Sequence, residues 1–126
     1  MATVNVRYIV EDVDAAVDFY VERLGFDIEM RPAPAFAMLS QGELRLLLNQ
    51  PGAGGAGQPM PDGARPEPGG WNRIQVAVSN LEREVQALRE AGASFRNDIV
   101  TGQGGSQILL EDPSGNPIEL FEPARA

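Results

Sequence analysis

The fold is indicated by a stretch near the start of the chain that occurs again in its second half. Val4–Val10 reads VNVRYIV and is followed at Asp12–Val17 by DVDAAV. Asn72–Val78 reads NRIQVAV and is followed at Asn80–Val85 by NLEREV, an offset of 68 residues between the two helix starts. Each copy predicts an alternating strand, a polar helix cap and an amphipathic helix. A duplicated half-fold of this kind typically forms a concave sheet with a cavity.

The same order of elements is predicted for both halves. The first half is predicted to contain a strand at 3–10, a helix at 13–24 ended by Gly25, and strands near 26–31, 35–40 and 43–49, with Gln41-Gly42 as a hairpin turn. The second half is predicted to contain a strand at 72–78, a helix at 81–91 ended by Gly92, and strands near 94–98, 106–111 and 117–122, with Pro113–Asn116 as the last turn. The copies also end alike, with LNQP at Leu48–Pro51 and LFEP at Leu120–Pro123.

Composition excludes several classes of function. The 126 residues indicate one domain, and they contain no cysteine and no histidine, which removes thiolate catalysis and the commonest transition-metal ligand. The net charge of −8 argues against nucleic acid as a partner, because phosphate backbones are bound by clustered Lys and Arg. The sequence shows neither a membrane span nor a signal peptide, so a cytoplasmic location is expected, with no membrane partner.

The segment Pro51–Gly70 separates the two copies. It holds seven glycines and five prolines, a density that excludes a helix or a strand ladder. We interpret it as a linker between module 1 (about 1–50) and module 2 (about 71–126) of a single domain 1–126, and a mobile flap over the cavity is the alternative. Trp71 follows directly and is interpreted as a core anchor or subunit contact rather than as a ligand platform.

Two motifs resemble those of a known family. Asp12–Tyr20 reads DVDAAVDFY and is followed by LGF at Leu24–Phe26, while Leu110–Leu120 reads LEDPSGNPIEL. Both resemble the module signatures of the vicinal oxygen chelate superfamily, which comprises glyoxalases, bleomycin resistance proteins and extradiol dioxygenases. The resemblance implies an α+β fold of two tandem βαβββ modules, each a curled sheet, that together surround a cavity. It also implies a homodimer.

The metal-binding positions of that family are changed in this chain. Metal-dependent members carry a histidine on the first strand of each module, seven residues before the helix cap, where this sequence has Asn5 and Arg73. The fourth-strand ligand of the first module falls at Leu47, or at Arg45 if the alignment shifts, and only Glu119 matches a ligand of the second. Transition-metal sites need three or four good donors, so we interpret the chain as metal-free and without a cofactor.

The alternation of the strands places one set of side chains toward the predicted cavity. We expect Arg73 to pair with Glu119, because an isolated buried charge is costly, and this pair either replaces the metal structurally or also contacts a ligand. Phe36 is expected to offer a flat apolar surface to an aromatic guest. The candidate ligand-binding residues are Asn5, Arg7, Phe36, Met38, Leu47, Trp71, Arg73, Gln75, Glu119 and Phe121.

Two classes of function fit these residues. The first is a binding protein of the bleomycin-resistance type that sequesters an apolar or aromatic compound, such as a natural-product antibiotic, in the cleft of a dimer. The alternative is a glyoxalase-like lyase or isomerase that needs no metal and uses Glu119 as general base, with Arg73 stabilising an enolate. A degenerate paralogue with an interaction role and no ligand is a third interpretation. Asp112 is expected to cap backbone in the last turn.

Overall fold

The computed structural model describes residues 4–125, so Met1–Thr3 and Ala126, including the predicted start of the first strand at Thr3, lie outside the described residues. The chain forms two compact units, Met1–Gly69 and Gly70–Ala126. Each unit contains one helix and one sheet, of four strands in the first unit and five in the second, which confirms the predicted α+β class. Within residues 4–125, neither helix is long and apolar enough to cross a membrane.

Unit 1 contains the elements predicted for the first half. They are β1 (Asn5–Ile9), α1 (Val13–Leu24), β2 (Asp27–Ala33), β3 (Phe36–Gln41) and β4 (Leu44–Asn49). Sheet 1 has the order β1-β4-β3-β2, in which β1 runs parallel to β4 and the other pairs are antiparallel. The β3–β4 turn is Gly42-Glu43 and not Gln41-Gly42, because Gln41 still pairs with Leu44 and Gly42 adopts the positive φ of 58° that a two-residue hairpin loop requires.

Helix α1 covers one face of sheet 1. It begins at the cap Asp12, whose carboxylate accepts the N–H of Ala15, and ends at Gly25 with a left-handed φ of 76°. Its fully buried Tyr20 packs edge-to-face against Tyr8 of β1, at 6.5 Å between ring centroids. Because strand side chains alternate between faces, residues adjacent to Tyr8 lie on the opposite side, which we call the helix-free face of sheet 1.

Unit 2 repeats this arrangement with one additional strand. Its elements are β5 (Ile74–Ala77), α2 (Leu81–Glu90), β6 (Ser94–Phe95), β7 (Val100–Thr101), β8 (Gly105–Glu111) and β9 (Pro117–Pro123). Sheet 2 has the order β5-β9-β8-β6, with β7 also pairing with β8. Leu81, Val85 and Leu88 form the buried stripe of α2. The face of sheet 2 that carries Gln75 and Glu119 lies opposite the one that carries the buried Ile118 and Leu120, and we call it the helix-free face of sheet 2.

The prediction of a strand at 94–98 was wrong beyond Phe95. The Arg96 N–H donates to the Leu109 carbonyl at 2.9 Å, but the Leu109 N–H then donates to the side chain of Asn97, also at 2.9 Å. A side-chain oxygen therefore replaces the next backbone acceptor, the ladder is interrupted, and pairing resumes only at Val100.

The internal repeat extends to individual hydrogen bonds. Gln50, which follows β4, accepts the N–H of Val13 at the start of α1 at 3.2 Å. Glu122 in β9 accepts the N–H of Leu81 at the start of α2 at 2.7 Å. The first N–H groups of a helix have no acceptor inside the helix. In each unit, one of them is bound by the residue that precedes the proline of the LNQP or LFEP sequence.

The segment Pro51–Gly70 contains no helix or strand, as predicted, yet it is folded on itself. Gly52 and Gly57 are joined by a 2.7 Å backbone hydrogen bond, and Gly57 donates to Ala53 at 3.0 Å. A methyl group at Gly57 would lie 2.4 Å from the backbone nitrogen of Ala53, so only glycine fits there. Whether the segment serves as linker or flap stays a prediction.

The last hairpin turn is organised by Asp112, in agreement with its predicted role. Its Oδ1 accepts the backbone N–H groups of Ser114 at 2.8 Å and Asn116 at 2.9 Å, and its Oδ2 accepts the Asn116 side-chain amide at 3.0 Å. Asp112 is nearly fully buried, and these donors compensate its charge. The turn sets the register in which β9 places Glu119 opposite Leu109 of β8.

Candidate small-molecule site

Glu119 is the centre of a polar cluster on the helix-free face of sheet 2. It is 7% exposed and lies opposite Gln75 in the parallel β5–β9 register. The Arg73 guanidinium donates to Oε1 from Nε at 3.1 Å and from Nη2 at 2.9 Å, and the Gln75 amide donates to Oε2 at 2.6 Å. The predicted pairing of Arg73 with Glu119 is therefore present, and both carboxylate oxygens have a protein donor.

Trp71 lies beside this cluster and is not a core residue. It is 71% exposed, which contradicts the interpretation as a core anchor. Arg73 Nη1 donates to its carbonyl oxygen at 3.3 Å, and the Arg96 guanidinium stacks on its ring at 4.9 Å from the centroid. Residues 71–73 follow a run of proline and glycine and precede β5, so Trp71 belongs to no helix or strand.

Arg96 holds Trp71 in place, and sequence reasoning missed it. Its Nε donates to Glu111 at 2.8 Å, and its Nη1 and Nη2 donate to the carbonyl oxygens of Gly70 at 2.7 Å and Gly115 at 3.0 Å. The bonds to Glu111 and Gly115 fix the rigid, planar guanidinium, which in turn holds the ring-bearing segment through the Gly70 carbonyl and the Trp71 ring. No local pattern around Arg96 distinguishes it from the other arginines, because its partners are distant in sequence.

Phe121 shares the helix-free face of sheet 2 with Glu119 and Leu109. Register pairs it with Gln107 of β8 and Ala77 of β5. The tip of its ring lies 3.0 Å from the position that a Cβ on Gly105 would occupy, so the absence of a side chain there leaves room for the ring. Phe121 is half-buried and provides apolar surface next to the polar cluster.

The candidates of unit 1 share the helix-free face of sheet 1. Register places Arg7 and Met38 beside Leu47, and Asn5 beside Arg45. Phe36 lies opposite Asn49. Asn49 is not among the ligand-binding residues predicted from the sequence. Asn5 and Arg7 are exposed, Phe36 and Met38 are half-buried, and Leu47 is 9% exposed. The structure thus brings the side chains of Arg73, Gln75 and Glu119 into direct contact, with the Trp71 carbonyl bonded to Arg73 and Phe121 on the same sheet face. The unit 1 candidates share a sheet face, and no polar cluster joins them among the described residues.

The residues at the family's metal positions do not fit a metal. In unit 2 one position is the cationic Arg73, and Glu119 has both oxygens bonded to protein donors. In unit 1 the positions hold Asn5 and Leu47, which supply at most one neutral oxygen. Across residues 4–125, no three acidic side chains are grouped so that they could hold an ion.

The bonding of Glu119 favours recognition over proton transfer. A general base needs a carboxylate oxygen within hydrogen-bond reach of the substrate proton. Here Oε1 accepts two bonds from Arg73 and Oε2 accepts one from Gln75, so a substrate would have to displace a protein donor. The role of Glu119 as general base, and the ligand-binding role of the whole set, stay predictions.

Comparison with known proteins identifies the family. The model of the Glyoxalase/Bleomycin resistance protein/Dioxygenase superfamily matches residues 3–120. A superfamily member from Sphaerobacter thermophilus DSM 20745 is 24% identical with a TM-score of 0.75, covering 97% of both chains. TnmS3, an antibiotic binding protein from Streptomyces sp. CB03234, is 23% identical with a TM-score of 0.74, covering 98% of this chain and 97% of its own. Lactoylglutathione lyase from Agrobacterium tumefaciens is 20% identical with a TM-score of 0.73, covering 96% and 92%.

No curated protein is significantly similar to the chain. The family match nevertheless spans almost its whole length, and the structural similarity extends through both units. The chain therefore belongs to the Glyoxalase/Bleomycin resistance protein/Dioxygenase superfamily, whose members bind small molecules and typically form dimers.

Proposed function

We propose that this protein binds and sequesters an apolar or aromatic small molecule, such as a natural-product antibiotic, and that it does so without a metal or other cofactor. The observation that carries the proposal is the cluster of Arg73, Gln75 and Glu119, to which the backbone carbonyl of the exposed Trp71 is hydrogen-bonded. Arg73 and Glu119 of this cluster occupy two of the positions where the family resemblance implies metal ligands. Its charges are compensated within the protein, so it is suited to orient a ligand rather than to hold an ion.

Arg73 retains donors for a ligand. A guanidinium has five N–H groups, and those used here point from Nε and Nη2 to Glu119 and from Nη1 to the Trp71 carbonyl. The Arg73 side chain is 28% exposed, and we assign its two remaining N–H groups to a carbonyl or anionic oxygen of a guest. Trp71 next to it offers a flat surface for stacking.

Each helix-free face, taken by itself, carries apolar side chains that would suit an apolar guest. Phe121 on sheet 2, and Phe36, Met38 and Leu47 on sheet 1, lie on the helix-free faces. Binding sites for small molecules combine apolar surface with a few placed polar groups, and each of these faces carries both kinds of side chain. The antibiotic binding protein TnmS3 has the same fold and offers a precedent for this use of it. We also propose that this protein is a homodimer, which light scattering would test. Its cytoplasmic location stays a prediction.

Thermal denaturation of the purified protein tests the proposal. The panel consists of polycyclic aromatic natural products, with Zn²⁺, Mn²⁺ and Fe²⁺ in separate samples. A compound at 100 times its dissociation constant should add about 2.7 kcal/mol to the stability and raise the midpoint by several degrees. A shift with an aromatic compound and none with the metals is expected. A shift with a metal alone would contradict the proposal.

The enzyme alternative is separated by Glu119→Gln. This variant keeps the size of the side chain and one oxygen acceptor, so a binding protein should change only its affinity. A metal-independent lyase or isomerase that uses Glu119 as general base would lose turnover by 10²-fold or more, on the order of what general base catalysis contributes. Conversion of a bound panel compound, followed by mass spectrometry in the wild type and the variant, distinguishes the two functions.

A further inference from the structure

Asn49 has a buried acceptor that is not satisfied. It is 4% exposed, and its Oδ1 has no hydrogen-bond partner within the part of the chain that the structure describes. Register places it between Ile9 of β1 and Phe36 of β3. Since Leu47 precedes it by two residues in β4, both side chains lie on the helix-free face of sheet 1.

A contribution to the stability of unit 1 does not explain why residue 49 is an asparagine. Buried polar atoms in native proteins nearly always have a partner, and leaving one unpaired costs free energy that an apolar side chain of similar shape would avoid. The corresponding residue of the LFEP sequence in unit 2 is Phe121, so an apolar side chain is compatible with this position in the module. The residues paired with Asn49 in the register of sheet 1, Ile9 and Phe36, are both apolar.

We infer that Asn49 is a specificity-determining residue whose Oδ1 accepts a hydrogen bond from a hydroxyl or N–H group of the ligand. The inference rests on the proposed function and narrows the ligand class to aromatic compounds with a hydrogen-bond donor on the ring system. Phe36 lies opposite Asn49 and Met38 two residues further along β3, so the ring system contacts apolar side chains while its donor is bound by Asn49. A ligand without the donor leaves the amide oxygen unpaired and binds more weakly.

The test uses 2-naphthol and 2-methoxynaphthalene, which differ in whether the ring oxygen carries a proton. Calorimetric titration of the wild type should give an affinity for 2-naphthol about three- to tenfold higher, the effect of one neutral hydrogen bond. Asn49→Leu should abolish this preference. The same variant without ligand should melt a few degrees higher, because the unpaired oxygen is removed. The control Asn72→Leu, at an exposed position before β5, should retain the preference.

Equal affinities in the wild type, or a preference that survives in Asn49→Leu, would overturn the inference and leave the proposed function intact. A lower melting temperature of Asn49→Leu would also overturn it, because the amide would then be a structural element of the fold. If neither naphthalene compound nor any member of the aromatic panel binds, the proposed function fails and this inference fails with it.

Discussion

Arg73 and Glu119 are joined by two hydrogen bonds that end on the same carboxylate oxygen. Nε and Nη2 of Arg73 both donate to Oε1, at 3.1 and 2.9 Å, and Oε2 is left to Gln75. The arrangement orients the guanidinium while leaving part of it exposed. A buried carboxylate in this arrangement depends on its partners, since an unpaired buried charge is far more costly than a paired one.

Removal of one partner of this pair should therefore lower the free energy of unfolding more than removal of both. Arg73→Met is expected to lower the free energy of unfolding by about 2–3 kcal/mol, a value reduced for the partial exposure of Arg73. The double variant Arg73→Met with Glu119→Leu should recover to within about 1 kcal/mol of the wild type. Urea denaturation measures both, with Arg83→Met on the exposed side of α2 as control, expected within about 0.5 kcal/mol. A double variant less stable than Arg73→Met would contradict this account.

Trp71→Ala should affect binding much more than folding. The ring is 71% exposed, and its contact with Arg96 is worth about 0.5–1 kcal/mol, so the unfolding free energy should change by no more than that. Affinity for a polycyclic aromatic compound identified by the panel should fall about tenfold, because a stacking surface is lost. Calorimetric titration measures the change. Val100→Ala, another exposed apolar residue of unit 2, is the matched control and should leave the affinity unchanged. An equal loss in both variants would remove Trp71 from the site.

Gly57→Ala should disrupt the folded segment between the modules. The new methyl group would meet the Ala53 backbone nitrogen at 2.4 Å and the Gln50 carbonyl oxygen at 2.7 Å, and both belong to backbone that cannot rotate away. We expect a loss of about 1–3 kcal/mol, as for other overpacked positions, or local opening of the segment. Amide hydrogen exchange should show faster exchange at the amides of residues 52 and 57 than in the wild type. Gly55→Ala, where a Cβ meets nothing within 4 Å, is the control and should exchange as the wild type does.

Glu122 should stabilise the start of α2 by accepting a hydrogen bond from the Leu81 N–H. Glu122→Leu removes the acceptor of the Leu81 N–H and is expected to cost about 1 kcal/mol, the usual value of a helix cap interaction. Glu122→Gln keeps an oxygen in the same place and should cost less than half of that, since Gln50 makes the equivalent bond to Val13 in unit 1. Thermal or urea denaturation measures both variants. Equal losses in the two would show that charge, and not the hydrogen bond, stabilises the helix start.

Local sequence patterns predicted the repeat, the family motifs and most of the elements, but not β7 or the early end of β6. The α1 boundaries at Val13 and Leu24 follow from a capping carboxylate at Asp12 and a left-handed glycine at Gly25, both of which act within one turn of the helix. The turn at Asp112 was predicted for the same reason. The pairing of Arg73 with Glu119 was also predictable, because strand alternation and the cost of an isolated buried charge both required it.

Tertiary structure decided the positions of several side chains that these local patterns could not place. The stacking of Trp71 on Arg96 joins residues 25 positions apart in sequence, and the unpaired oxygen of Asn49 follows from the residues that the sheet register places around it. The early end of β6 likewise depends on Asn97 meeting Leu109, which no local preference specifies. Sequence alone thus determined the structure where backbone hydrogen bonds are local, whereas long-range register decided which buried polar atoms find a partner in the protein.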